Sequence, residues 1–217
     1  MGDLVQMRPR GHYLANEAGA LAGVSGGQIG QWARRGYIGA SQSKPGDYPL
    51  VYSFQDVAEA MVVHELLEAG NSHEEVKSAI QHLRDENGSD WPLTHGDVAT
   101  ADGAVVIERS GKHYEIGQRP WQRFVDASHL QDVAGELNRG GWATRRIPDL
   151  RHIEVDPDRL SGRPTIRGRR IPVSLVAELA AQDDGPETLR EDYDLNKAEV
   201  HDAQRWTEIT QSFALAA

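Results

Sequence analysis

Apolar residues recur at spacings of three and four in several stretches of this chain, each bounded by residues that start or stop helices. Leu14, Ala18 and Leu21 make one such face, closed by Gly23. Ser25, whose hydroxyl can accept an orphan backbone N–H, opens a second helix through Arg35 that Gly36 ends. On that helix Ile29, Trp32 and Ala33 share one arc, whereas Gln28, Gln31, Arg34 and Arg35 fall on the other. Ser53 with Asp56 begins a third helix in capping-box manner, with a stripe of Val57, Met61, His64 and Leu67 and an end at Gly70. Ser72 with Glu75 begins a fourth, with Val76, Ala79, Ile80 and Leu83 facing a core. Between the second and third helices, Ile38 to Tyr52 centres on Lys44-Pro45-Gly46-Asp47. Proline presets φ there and glycine permits the positive φ of a type II turn, which predicts a hairpin wing.

The pattern then changes. Ala104–Glu108 and His113–Ile116 are β-prone runs around a turn at Ser110-Gly111 and predict a hairpin. Ser128 with Gln131 predicts a helix carrying Leu130, Val133, Ala134 and Leu137, stopped by Gly140-Gly141. Ile153–Val155 alternates as a strand does, and the prolines and glycines between residues 162 and 172 exclude a helix there. Three helices follow: Ser174–Ala181, Thr188–Tyr193, and a longer one capped by Asn196 with Glu199 that repeats Val200, Ala203, Trp206 and Ile209. The predicted fold class is mainly α with small β hairpins. Its expected parts are a winged helix-turn-helix over 10–90, a small α+β connecting segment over 91–147, and a helix-turn-helix-like three-helix unit over 148–212.

Charge alters the picture only when divided along the chain. The net charge is −10, an unfavourable total for meeting phosphate, yet residues 1–54 carry +2 and residues 145–173 carry +4. The absence of cysteine excludes disulfides, thiolate zinc sites and a cysteine nucleophile, and fits a reducing interior. Met1–Arg10 lacks an apolar signal region and no stretch approaches the roughly 20 apolar residues of a membrane span, so a cytoplasmic protein without membrane contact is expected. No pair among the nine histidines has HxxxH or HxH spacing, and neither metal nor cofactor is expected. No P-loop, HExxH or GxGxxG occurs, so no enzyme is expected and no catalytic residue is assigned. Trp91, Trp121, Phe124 and Trp142 are read as core, the alternative being the lining of a ligand pocket.

Two short helices with Gln and Arg outward on the second form the arrangement that enters a major groove, Arg reading guanine and Gln adenine; the alternative is an ordinary solvated face. The run Gly23-Val24-Ser25 to Trp32-Ala33-Arg34-Arg35-Gly36-Tyr37-Ile38, followed by Tyr52-Ser53-Phe54-Gln55-Asp56-Val57, resembles the winged-helix DNA-binding domain of the MerR family. The resemblance implies contacts to double-stranded operator DNA from Ser25, Gln28, Gln31, Arg34 and Arg35 on the helix and from Lys44 and Tyr48 on the wing. Gly30 stands where the family often has a basic residue, and the wing offers a single lysine, so each half-site is expected to be weak and a homodimer is expected to join two.

Farther along, Gly162, Pro164, Ile166, Gly168, Arg170, Ile171, Pro172 and Val173 fit a G-x-P-x-I-x-G-x-R-I-P-V pattern. Residues 151–208 thereby resemble a small helix-turn-helix-like family whose members act as antitoxins beside PIN-like ribonuclease toxins. Together the two parts resemble a mycobacterial VapB-type antitoxin. The resemblance implies an antitoxin of a type II toxin-antitoxin system that neutralises its nuclease and represses its own operon. Because PIN-type sites cluster carboxylates, Arg163, Arg167, Arg169 and Arg170 are the candidate partner contacts. The alternative for these arginines is pairing with Asp156, Asp158, Asp192 or Asp194 in the same unit or across a dimer. The alternative function is a stand-alone MerR-like regulator with a small-molecule ligand in the connecting segment.

Overall fold

The computed structural model describes residues 9–94, 98–101, 104–109, 112–116, 131–132, 150–156 and 159–215. The amino-terminal elements are α1 (Ala15–Ala22), α2 (Gly26–Arg35), α3 (Phe54–Glu68) and α4 (His73–Asn87), followed by a 3-10 turn at Pro92–Thr94; another 3-10 turn lies at Leu160–Gly162. The strands are β1 (Val98–Ala101), β2 (Ala104–Arg109), β3 (Lys112–Glu115), β4 (Gln131–Asp132), β5 (Ile153–Glu154) and β6 (Thr165–Ile166); α5 (Val173–Ala180), α6 (Gly185–Glu191) and α7 (Lys197–Leu215) complete the order. The fold is mainly helical with small antiparallel strand pairs, and its amino-terminal part is a helix-turn-helix. None of the helices, among the described residues, is long and apolar enough to cross a membrane.

Local capping sets most of these boundaries. Ser25 Oγ accepts from Gln28 N at 3.1 Å, and Ser53 with Asp56 and Ser72 with Glu75 form reciprocal capping boxes. Gly23 and Gly36 close α1 and α2 at φ 75° and 77°, a left-handed conformation that any larger residue enters at a cost. The sharp turn between α1 and α2 has a second requirement: a Cβ on Gly19 would lie 2.5 Å from Val24 O, and one on Gly26 would overlap Asn16 Oδ1.

Tertiary packing overrides the one-dimensional pattern at several places. Leu14, expected on the buried face of α1, is instead its N-cap residue and 46% exposed. The single stripe expected on α3 understates its burial. Val57, Ala60, Met61, Val62, Val63 and Leu66 are all buried at 1% exposure or less, because α3 is the central helix, while His64 and Leu67 from the expected stripe are only half-buried. On α4 the expected face holds, with Val76, Ala79, Ile80 and Leu83 buried.

The first sheet runs β3-β2-β1-β4, all antiparallel, with Val98 opposite Ile107 and Val106 opposite Glu115. The hairpin expected around residues 104–116 is therefore present. Gln131 and Asp132, expected inside a helix from Ser128, form β4 against Ala99 and Thr100, the open edge of β1 supplying the backbone hydrogen bonds that a helix would have supplied. The remainder of that expected helix, with Trp121, Phe124 and Trp142, lies outside the described residues. Trp91 is buried, as its core assignment required.

In the carboxyl-terminal unit, Ile153 pairs with Ile166 and Glu154 with Thr165, and α5 packs between α6 and α7. Asn196 Oδ1 accepts from Ala198 N and Glu199 N, and Glu199 Oε2 accepts from Asn196 N at 2.8 Å, completing the expected cap of α7. This unit is built onto the helix-turn-helix: α7 packs on α1 and α2, and a Cβ on Gly162 would lie 2.6 Å from Tyr13 Oη and 2.8 Å from Gly11 Cα. The Tyr13 hydroxyl is buried with no hydrogen-bond partner among the described residues, and burial pushes its pKa above the usual phenol range.

Candidate nucleic-acid interface

α2 reaches solvent on one side because its other side is consumed by the core. Ile29 and Trp32 are 0% and 2% exposed, Gln28 and Ala33 are half-buried, and Gln31, Arg34 and Arg35 are exposed. Both arginines sit in the last turn, where a cation also meets the favourable end of the helix dipole. A Cβ on Gly30 would lie 3.3 Å from Arg34 Nη1, so the Arg34 guanidinium folds over the site where a side chain at Gly30 would stand. Ser25 is half-buried and its hydroxyl is committed to capping Gln28, so its part in an interface is to fix the start of α2.

The wing is present as a loop without a strand ladder, a difference from the expected hairpin. Asp47 N donates to Lys44 O at 3.0 Å and Gly46 has φ 91°, which is the type II turn that Pro45-Gly46 predicts. The two arms are joined by a side chain: Ser43 Oγ accepts from Val51 N at 2.7 Å and donates to Val51 O at 3.4 Å. Lys44 is exposed at the turn, and Tyr48 beside it is 94% exposed, an aromatic that contributes nothing to the core.

What holds the wing against α3 is Asp56, which sequence reading assigned only to a cap. One carboxylate oxygen accepts from Ser41 N (2.8 Å), Ser41 Oγ (2.7 Å) and Ser53 N (2.8 Å), and the other from Trp91 Nε1 (2.8 Å). Asp56 is fully buried, so these four donors replace its hydration shell. The wing is further fixed by Gln42 Nε2, which donates to Gly11 O at 2.8 Å, and the preceding loop by Tyr37, whose hydroxyl donates to His73 O at 3.0 Å. One turn after Asp56, Glu59 is fully buried, accepts from Leu93 N at 3.3 Å through one oxygen, and has a carboxyl pKa raised by burial to about 8. The cap spacing made Asp56 legible; its partners at Ser41 and Trp91 carry no local signal.

The arginines of residues 163–170 do not form one comb. Arg169 is half-buried and turned into its own unit: Nη1 donates to Tyr193 O at 3.0 Å, Nη2 lies 3.7 Å from Asp194 and Nε 3.6 Å from Glu199. Arg167 is exposed and donates to Arg151 O at 3.4 Å, and Arg170 is exposed. Arg163 is exposed at a groove between the two units, beside Leu14, Glu17 and Trp206. Of the alternative pairings, Asp194 is realised with Arg169, while Arg159 takes Glu154.

Sequence profiles place this geometry. The MerR helix-turn-helix family of regulatory proteins matches residues 13–83. Residues 13–83 are thus similar to a MerR-type helix-turn-helix domain. A second profile, described as a protein of unknown function (DUF433), matches residues 153–206. Beyond the MerR-type domain, the whole arrangement resembles the crystal structure of Rv2018 from Mycobacterium tuberculosis. That protein is 18% identical, with a TM-score of 0.55 over 88% of this chain and 96% of that one, a likeness of fold. No curated protein matches this chain. The MerR-type domain contains the exposed side of α2 and the wing; the DUF433 match contains all four candidate partner arginines.

Proposed function

We propose that this chain is a non-catalytic, cytoplasmic DNA-binding regulator that works as the antitoxin of a type II toxin-antitoxin system. In this reading a homodimer places two copies of α2 in successive major grooves of its own operator, and the carboxyl-terminal unit binds and neutralises a PIN-like ribonuclease. The observation that carries the DNA part is α2: capped at both ends, sunk into the core through Ile29 and Trp32, and left with Gln31, Arg34 and Arg35 outside, while the loop after it exposes Lys44 and Tyr48. On a chain of net charge −10, an exposed pair of arginines with an exposed lysine in the same domain is a local attraction for phosphate that the whole molecule lacks. The toxin part is supported by the order of the two matched regions and by the arginine-rich stretch in the second.

Fluorescence anisotropy with the promoter DNA of the chain's own operon tests the first part. Specific binding tighter than to scrambled duplex by about 1,000-fold or more is expected, with a steep dependence on salt. Equal affinity for both duplexes would refute a role in operator recognition. Inhibition of the neighbouring nuclease by stoichiometric addition of this chain tests the second part, and undiminished nuclease activity would refute it.

A further inference from the structure

α7 has two working faces. Asp202, Ala203 and Trp206 are buried toward the rest of the molecule, whereas Lys197, Val200, His201 and Gln204 recur at i, i+3, i+4 and i+7 along a groove of about 830 Å³. The apolar part of the groove comes from Ala180, Pro186, Leu195 and Val200, contributed by α5, α6, the connection before α7, and α7 itself. Its charged lining is cationic: Arg169, Arg190 and Lys197 against one carboxylate, Asp194. This reverses the local balance, since residues 174–217 carry −7 overall.

The cations are held in different degrees of readiness. Arg169 is fixed from behind by Tyr193 O and Glu199, and its outer partner Asp194 is 96% exposed, so an incoming carboxylate can take that place with little loss. Arg190 is 68% exposed and, among the described residues, pairs with Glu187 and Glu191 on its own helix. Lys197 is exposed and has no ion pair among the described residues. An apolar floor, a preset guanidinium with an exchangeable partner and two exposed cations fit a segment with aliphatic side chains in the middle and carboxylates at its edge.

We propose that this groove docks a short acidic-edged apolar segment of the nuclease partner, a reading that rests on the antitoxin assignment above and adds Arg190 and Lys197 to its contacts. Residues 163–170 then contribute through Arg169 alone.

The test uses the full chain, the PIN-like ribonuclease that the antitoxin assignment requires beside its gene, and calorimetric titration of wild type, Lys197→Arg, and a double variant Lys197→Glu with Arg190→Gln. Lys197 lies in the first turn of α7, where a carboxylate is favourable to the helix, so the variant keeps its fold, and operator binding through α2 verifies this. The expected result is a loss of about tenfold or more in nuclease affinity for the double variant, with Lys197→Arg and operator binding unchanged. Wild-type affinity in the double variant overturns the groove and leaves the antitoxin assignment standing. No nuclease binding by wild type removes both. A change of the variant's self-association mass in light scattering without any change in nuclease affinity makes a second copy the occupant and also overturns the proposal.

Discussion

The arginines of α2 and those of residues 159–170 meet opposite fates, although both stretches read as basic islands. Arg34 and Arg35 lie on a helix whose inward side is already filled by Ile29 and Trp32, and no carboxylate pairs with them among the described residues. In the second stretch Arg159 meets Glu154 and Arg169 meets Asp194 and Glu199, so part of the island is spent on holding its own unit together. A count of basic residues thus measures potential contact surface only where the backbone turns the side chains away from neighbouring carboxylates. Buried acids show the same contrast. Asp202 accepts from His152 N and lies 2.8 Å from His152 Nδ1, whereas Glu59 in the MerR-type domain has a single backbone donor and one oxygen without a hydrogen bond among the described residues.

The comparison breaks most visibly if both arginine sets prove equivalent on DNA. Replacing Arg34 and Arg35 together by alanine is expected to weaken operator binding by about 100-fold, at about 1–3 kcal/mol per base-reading arginine. Replacing Arg163 and Arg170 should leave the anisotropy curve in place. An equal loss from both pairs would mean that net charge, and not the geometry of α2, governs binding.

The contrast between buried acids is sharpened by pH. The Glu59 pKa is raised from 4.5 to about 8, so the folded state holds a proton that the unfolded chain releases across that interval. Stability from this group is therefore greatest at low pH and declines as pH rises toward 8. Thermal melts should show Tm falling between pH 5 and 8, and Glu59→Gln should flatten that slope; a wild-type profile in the variant would contradict the assignment.

A smaller effect separates the two uses of arginine by stability. Arg169→Ala removes a hydrogen bond to Tyr193 O and two ion pairs, with an expected loss of about 1 kcal/mol in urea unfolding and no change in operator affinity. Arg35→Ala should do the reverse, lowering operator affinity at a stability cost of only about 0.3 kcal/mol from the end of α2. Smallest is the wing: Lys44→Ala should weaken DNA binding a few-fold across all sequences and reduce the slope of log affinity against log salt by about one. Loss of sequence preference in that variant would instead place Lys44 on a base.

The sequence alone determined the features whose physical cause lies within a turn of helix or a tight loop. Ser25, Ser53 with Asp56, Ser72 with Glu75, and Asn196 with Glu199 each satisfy orphan N–H groups a few residues away, and Pro45-Gly46 sets its own turn. The exposed side of α2 was legible for the same reason, because its helical period and the bulk of Ile29 and Trp32 leave one way to bury it. Tertiary structure alone decided the rest. It pairs Gln131 and Asp132 with β1, buries α3 well beyond a single stripe, exposes Leu14, ties Asp56 to both Ser41 and Trp91, and turns Arg169 inward onto α7. Each of these depends on a partner supplied by a distant part of the chain, and the energy of a buried carboxylate or an open strand edge is fixed by that partner and not by its neighbours in sequence.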